Sequence, residues 1–366
     1  MGMIRISLLL VLIITALSLA QECPQSRNYT VTTQAEIDSV TSDCTRIAGE
    51  LALVDWSGPF TLPNITHVES IALYSGSITT FELPHLEYYS GNLVLTNVPS
   101  LRKVSLPRLE YIDVLHIGLV GDTPELHCPM LRNASSVFLR GNFASQSFPS
   151  LQNIATKFDI CNSINCDNYS YMNASTSMDL SFPDLERVAN FKVAGNMSKL
   201  STPSVTAVTC ADCHWAALHL KLFGSSPIAV DFPKLSEVEG NVYIRGDIAS
   251  ISLPVAHQYP DEFTIIPHQP LNISLPVQRG LNFLFSGNVS SIQLPDLRDF
   301  SRIHINSDIS IDCDRLFEEL KETSSTPLNE TDIYDYFQCS RGSYTFGIDA
   351  WVTAAIGLAV SIAVGL

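Results

Sequence analysis

One pattern constrains the chain more than any other. The stretch Phe182–Asn196, FPDLERVANFKVAGN, sets an apolar residue, a proline, any residue and a leucine ahead of an apolar residue three places on, then an apolar alternation closing in Gly195-Asn196. The same order returns as FPKLSEVEGNVYIRG from Phe232, CPMLRNASSVFLRGN from Cys128 and FPSLQNIATKFDI from Phe148. Looser copies start at Leu62, Leu83 and Leu294. The prolines of these corners fall at 63, 84, 107, 129, 149, 183, 203, 233, 254, 276 and 295, and most gaps between them are 19 to 23 residues. Self-similarity at such a period marks a solenoid, whose units bury their faces only against their neighbours.

Each copy reads as two short strands. Phe81-Glu82-Leu83, Ile251-Ser252-Leu253 and Ile292-Gln293-Leu294 alternate apolar and polar residues just before a proline, which is strand spacing. Proline then ends the strand, having no N–H to give a ladder. Leu185 and Val188, Leu235 and Val238, and Leu151 and Ile154 turn the corner. Val137-Phe138-Leu139, Phe191-Lys192-Val193, Val242-Tyr243-Ile244 and Ile303-His304-Ile305 supply the second strand, and Gly-Asn allows a tight turn. The expected fold is therefore all-β: a right-handed parallel β-helix of coils of about 20–23 residues, stacking at about 4.8 Å per coil. A sandwich of hairpins fits worse, because the proline period is steady and Asn-Gly and Asp-Gly hairpin turns are missing.

The two ends carry different signals. Met1–Arg5 precedes an apolar run from Ile6 to Leu19 with small residues before position 21, the layout of a secretory signal cleaved after Ala20; a short membrane anchor is the competing reading. Trp351–Leu366 is a second apolar run, and Ser340-Arg341-Gly342 with the spacer 343–350 lies upstream of it. That spacing matches a glycosylphosphatidylinositol (GPI) attachment signal, with Ser340 as the modified residue and Ser343 as the alternative. A single spanning helix competes, though no Lys or Arg follows Arg341 to hold one on the cytoplasmic side. The division expected is a signal peptide at 1–20, an N-terminal cap at 21–62 and solenoid repeats at 63–312, then a C-terminal cap at 313–340 and a propeptide at 341–366. The longer proline gaps imply inserted loops at about 155–178 and 206–228.

Nine Asn-X-Ser/Thr sequons, at Asn28, Asn64, Asn133, Asn168, Asn173, Asn196, Asn272, Asn288 and Asn329, fit passage through a eukaryotic secretory pathway as a glycoprotein. Nine cysteines in such a compartment read as disulfides. Solenoid ends need distinct capping units, so Cys23–Cys44 ahead of the coils and Cys313–Cys339 around the helix-like DRLFEELKE are expected staples. The inner four cysteines allow three pairings and the sequence does not choose; Cys161–Cys166 and Cys210–Cys213 join near neighbours. Cys128 is left over as a buried thiol.

The net charge of −16 sets the chain against nucleic acid and anionic lipid surfaces. Cys210-Ala-Asp-Cys213-His214 matches a haem-attachment pattern and half of a zinc site, but no second ligand pair stands nearby, so a disulfide-bearing loop is the better reading. Glu87, Glu110, Asp184 and Asp296 flank separate proline corners, as solubilising charge does, rather than forming the facing pair glycoside hydrolysis needs. No phosphate loop, G-x-S-x-G or H-E-x-x-H occurs. Neither a cofactor nor a metal is expected.

The LP-x-L and FP-x-L corners at 83–86, 106–109, 182–185, 232–235 and 294–297, with the Cys313…Cys339 cap, resemble the receptor L-domain, the leucine-rich β-helix of insulin and epidermal growth factor receptor ectodomains. With the sequons and the tail, the whole is similar to fungal GPI-anchored surface proteins of the sporulation-specific/extracellular-mutant group. That resemblance implies a non-enzymatic glycoprotein of cell-wall organisation. It would be held on the outer leaflet of the plasma membrane, with part of it in the wall, its partners wall polysaccharide or other surface glycoproteins. Those proteins carry a long Ser/Thr-rich stalk where this chain has only Ser340 to Ala350. Two other functions fit the fold: a ligand-binding adhesion or receptor ectodomain, and a carbohydrate-active β-helix enzyme.

Overall fold

The computed structural model describes residues 22–23, 28–121, 123–143, 146–163, 176–210, 216–254, 261–325 and 336–341. The chain is all-β, a parallel β-solenoid with coils of about 22 residues, and it divides into two compact units, Met1–Ser135 and Ser136–Leu366.

The first unit holds β1 (Tyr29–Val31), α1 (Gln34–Thr41), β2 (Arg46–Leu53), β3 (Ser57–Thr61), β4 (His67–Leu73), β5 (Ser77–Glu82), β6 (Tyr88–Thr96), β7 (Lys103–Ser105), β8 (Tyr111–Val120) and β9 (Glu125–His127). Two parallel ladders run through it, β1–β2–β4–β6–β8 and β3–β5–β7–β9. Thr33 caps α1 by accepting the Glu36 amide, and the Glu36 carboxylate reaches back to accept the amide of Thr32, the residue before the cap, at 2.7 Å. The Thr32 amide in particular holds the Glu36 carboxyl below its usual range. Cys23 and Cys44 are joined beside this helix.

At the division point runs β10 (Asn133–Gly141). The second unit continues with β11 (Gln146–Ser147), β12 (Asn153–Asn162), β13 (Met178–Ser181), β14 (Arg187–Ala189), β15 (Phe191–Ser201), β16 (Ala207–Thr209) and β17 (Ala216–Phe223). Next come β18 (Ile228–Asp231), β19 (Glu237–Val238), β20 (Asn241–Gly246), β21 (Ile248–Ser252), β22 (Glu262–Pro267), β23 (Leu271–Ser274) and β24 (Arg279–Gly287). β25 (Val289–Gln293), β26 (Asp299–Ser307), α2 (Cys313–Thr323) and β27 (Phe337–Arg341) complete it. Its main ladder runs β12–β15–β17–β20–β22–β24–β26–β27, all parallel. The expected helix is α2, capped by Asp312, which accepts the Arg315 amide at 3.0 Å. It buries Leu316 and Leu320, and the Cys313–Cys339 disulfide ties its first residue to β27.

The proline corner explains the period. Leu86 donates its amide to Leu83 O, Leu109 to Leu106 O, Leu235 to Phe232 O and Leu297 to Leu294 O, at 3.0–3.4 Å. Each is a β-turn with proline at its second position, where the ring pre-sets the backbone angle. The residue before the proline keeps its amide and gives it to the next coil: Leu83 to Ser105 O, Leu106 to His127 O, Phe182 to Ser201 O, Phe232 to Ser252 O. Proline thus falls where its missing N–H costs the ladder nothing. Both leucines of each corner turn inward, and Leu83, Leu86, Leu106, Leu109, Leu235 and Leu297 are all buried.

Two expectations change. The loop expected at 206–228 contains the ladder strands β16 and β17, and β12 runs through to Asn162. Leu218, Leu220 and Leu222 are buried at strand spacing, and that burial keeps the segment in the sheet. The tight turn expected at Gly195-Asn196 is instead a bend inside continuous β15. Gly195 has φ +117°, and a Cβ there would lie 2.6 Å from Asn162 O, so glycine is required on two grounds.

In the second unit phenylalanines of successive coils form an inner column. Phe148 stacks on Phe182 and Phe158 on Phe191, while Phe182 meets Phe158 edge-on with centroids 5.2 Å apart. Removing Phe182, which is fully buried, takes ring contacts from three neighbours at once. Phe182→Ala should therefore cost about 3–5 kcal/mol and Phe182→Leu distinctly less, read from urea unfolding midpoints.

Candidate functional site

A recess lined by residues of several coils lies on the exposed surface of the first unit. Register aligns Arg46, His67, Tyr88 and Tyr111 on β2, β4, β6 and β8, one per coil. Tyr88 is 47% exposed, and its ring stacks on Tyr111 with centroids 4.6 Å apart and planes 12° apart. A recess opens beside Tyr88, walled by Arg46, His67, Glu69 and Ser90 over the apolar floor of Ile47 and Val68.

The backbone under this recess is irregular for a reason. β-Bulges interrupt three neighbouring pairings at the same height, between Ile47 and Glu50, Val68 and Ile71, and Tyr89 and Asn92. Bulges re-aim side chains. Gly91 permits the closest approach, since a Cβ there would stand 1.5 Å from Glu69 O. Below the bulge the buried Tyr89 donates its hydroxyl to Asn92 O at 2.8 Å, and burial holds that phenol far above its usual pKa. Glu69 is held in turn by the Gly49 amide at 2.7 Å, and His67 Nδ1 lies 3.0 Å from Thr66 Oγ1. The result is an apolar aromatic wall rimmed by a carboxylate, a guanidinium, an imidazole and a hydroxyl. Such a surface suits a ring that is apolar on one face and hydroxylated at its edge.

The expected site residues are scattered more widely. Asn28, Asn64 and Asn272 are exposed, and Asn133, Asn196 and Asn288 are half-buried. Asn133 continues the Arg46–Tyr111 row, its amide donating to Glu110 O at 3.2 Å. Asn288 Nδ2, the atom a glycan would occupy, donates to His268 O at 2.6 Å, and Asn196 Oδ1 is buried. Asn168, Asn173 and Asn329 lie outside the described residues. Ser340 stands in β27 opposite Asn306, its hydroxyl 3.0 Å from the Asn306 side chain; Ser343 lies outside the described residues. Cys161 and Cys210 are both disulfide-bonded, but the pairings with Cys166 and Cys213 involve residues outside those described. Glu87, Glu110, Asp184 and Asp296 are exposed at their separate corners. Among the described residues no group of three or more His, Cys, Asp or Glu gathers as a metal site would.

Sequence reasoning missed the tyrosine row. Its signal was present as positions 46, 67, 88 and 111, which share the repeat period but carry dissimilar side chains, so only the apolar positions of the repeat drew notice. No family model, curated protein or solved structure matches this chain.

Cys128 is a buried free thiol whose pKa burial pushes up from 9.0 to about 12. It should resist maleimide at pH 8 in the folded protein and react once urea unfolds the chain. Because the folded value is the higher one, stability falls as pH rises from 9.0 toward 12, by an amount a Cys128→Ala comparison would isolate.

Proposed function

We propose that this protein is a non-enzymatic, GPI-anchored cell-surface glycoprotein whose solenoid surface binds saccharide of the cell wall or of neighbouring glycoproteins. The Tyr88 recess carries this reading: an aromatic wall with a polar rim, exposed, and shaped by three aligned bulges. Saccharide recognition of this kind rests on stacking and hydrogen bonds and asks for no nucleophile or base. Disulfides at Cys23–Cys44 and Cys313–Cys339 fit an oxidising, extracellular setting. The repeated LP-x-L corners support the likeness to receptor L-domains and to the fungal wall-organisation proteins. Attachment at Ser340 or Ser343, with removal of the apolar segment 351–366, would place the coils at the outer leaflet of the plasma membrane.

Two measurements test the proposal. Full-length protein tagged after Ala20 should leave the membrane of a eukaryotic host on treatment with phosphatidylinositol-specific phospholipase C; retention argues for a spanning helix. The released protein should sediment with insoluble wall glucan, Tyr88→Ala should weaken that retention at least tenfold at unchanged melting temperature, and Tyr88→Phe should preserve it. Equal retention of Tyr88→Ala and wild type would remove the recess from the function.

A further inference from the structure

The polar groups that wall the Tyr88 recess are held in place yet left open toward it. Glu69 is exposed, and its Oε2 accepts the Gly49 amide at 2.7 Å. That bond fixes the carboxylate and leaves Oε1 without a hydrogen-bond partner among the described residues. Arg46 meets the Glu22 carboxylate through Nε at 4.0 Å, with the two side chains 45% and 61% exposed. A contact so long and so wet holds a guanidinium weakly, and the Nη groups remain to donate elsewhere. Arg46 and Glu69 wall one recess of about 280 Å³, but among the described residues no ion pair joins them. The recess therefore offers donors on one wall and an acceptor on another.

Register sets the spacing. Arg46, His67 and Tyr88 stand in one row on β2, β4 and β6, so Arg46 lies two strand spacings, roughly 10 Å, from Tyr88. Glu69 belongs to the middle strand, two residues beyond His67. Tyr88 turns one ring face to Tyr111 and keeps the other for the recess. Ser90 adds a hydroxyl at the rim.

These walls discriminate among the groups a sugar ring can carry. A hydroxyl donates and accepts at a single oxygen and cannot span two walls. An ammonium suits Glu69 and is repelled by Arg46, and a carboxylate does the reverse. A secondary amide is planar and trans, so its N–H and its C=O point in opposite directions. It can donate to a carboxylate on one side and accept from a guanidinium on the other. Both bonds are charge-assisted, the stronger kind.

We infer that the Tyr88 recess selects a sugar carrying an acetamido group, an N-acetylhexosamine such as N-acetylglucosamine. The sugar ring lies against the second face of Tyr88, the amide N–H donates to Glu69 Oε1, and the amide carbonyl accepts from Arg46. This rests on the reading of the recess as a saccharide site and goes beyond it by naming the substituent that is read.

Calorimetric titration of the full chain tests this with trisaccharides of N-acetylglucosamine, glucosamine and glucose joined by the same linkage. The acetylated sugar should bind at least tenfold tighter than the other two. Glu69→Gln keeps an acceptor for the Gly49 amide but sets an NH2 against the sugar's N–H, and Arg46→Gln removes the guanidinium. Each change lies on an exposed side chain and should weaken binding of the acetylated sugar at least tenfold at unchanged melting temperature. A glycopeptide bearing an N-linked core glycan distinguishes the source: binding as tight as the trisaccharide's assigns neighbouring glycoproteins, and no binding assigns a wall polymer. Equal binding of the glucose trisaccharide, lost in Tyr88→Ala, would overturn the acetamido assignment and leave the saccharide reading standing. Tightest binding of glucosamine, or binding unchanged in both folded variants, would likewise overturn it. Failure of all three trisaccharides to bind would overturn both.

Discussion

Everything in the molecule depends on a backbone hydrogen bond that passes from each coil to the next at the residue before the proline. Leu83, Leu106, Phe182 and Phe232 each give an amide to the following coil and an apolar side chain to the core. The proline after them supplies the turn and withholds an N–H the ladder does not need. Parallel strands are costly to bring together because they are distant in the chain. A corner that repeats every coil lowers that cost by making each closure short and alike. The apolar columns, including the stacked phenylalanines of the second unit, follow from the register that these bonds set.

This arrangement also separates stability from function. Inward positions alternate with outward ones along much of the strand length, so the core can stay leucine, phenylalanine and valine while the outer face varies. Two outward places are used unusually. At Tyr88 the sheet bulges and opens a recess; at Asp159 charged side chains are drawn out of water and held by Arg140 and Lys192. In both, register brings chemistry-bearing residues from different coils to one spot, and at Tyr88 the aligned bulges shape it further.

The fold was legible because its signal is repeated. Proline corners at a steady spacing, with leucines that must turn inward, leave few architectures open, and the end disulfides followed from the need to close a solenoid's core. What was misread was local. Gly195-Asn196 looks like a tight turn, but a parallel coil needs only a bend there. The segment around Ala207 and Leu218 lacked a proline at the right place, although its leucines keep strand spacing. The sites were far less legible. Neither Arg46, His67, Tyr88 and Tyr111 nor Asp159, Lys192, His219 and Tyr243 repeat one residue type throughout, and each set becomes a group only when the number of residues per coil is known to the residue.

The inter-coil bond can be observed directly. Native-state hydrogen exchange, resolved by residue, should find the amides of Leu83, Leu106, Phe182 and Phe232 among the slowest in the chain, recurring with the period of the proline corners. Rapid exchange at these amides, or slow exchange with no such period, would contradict a fold held together from corner to corner.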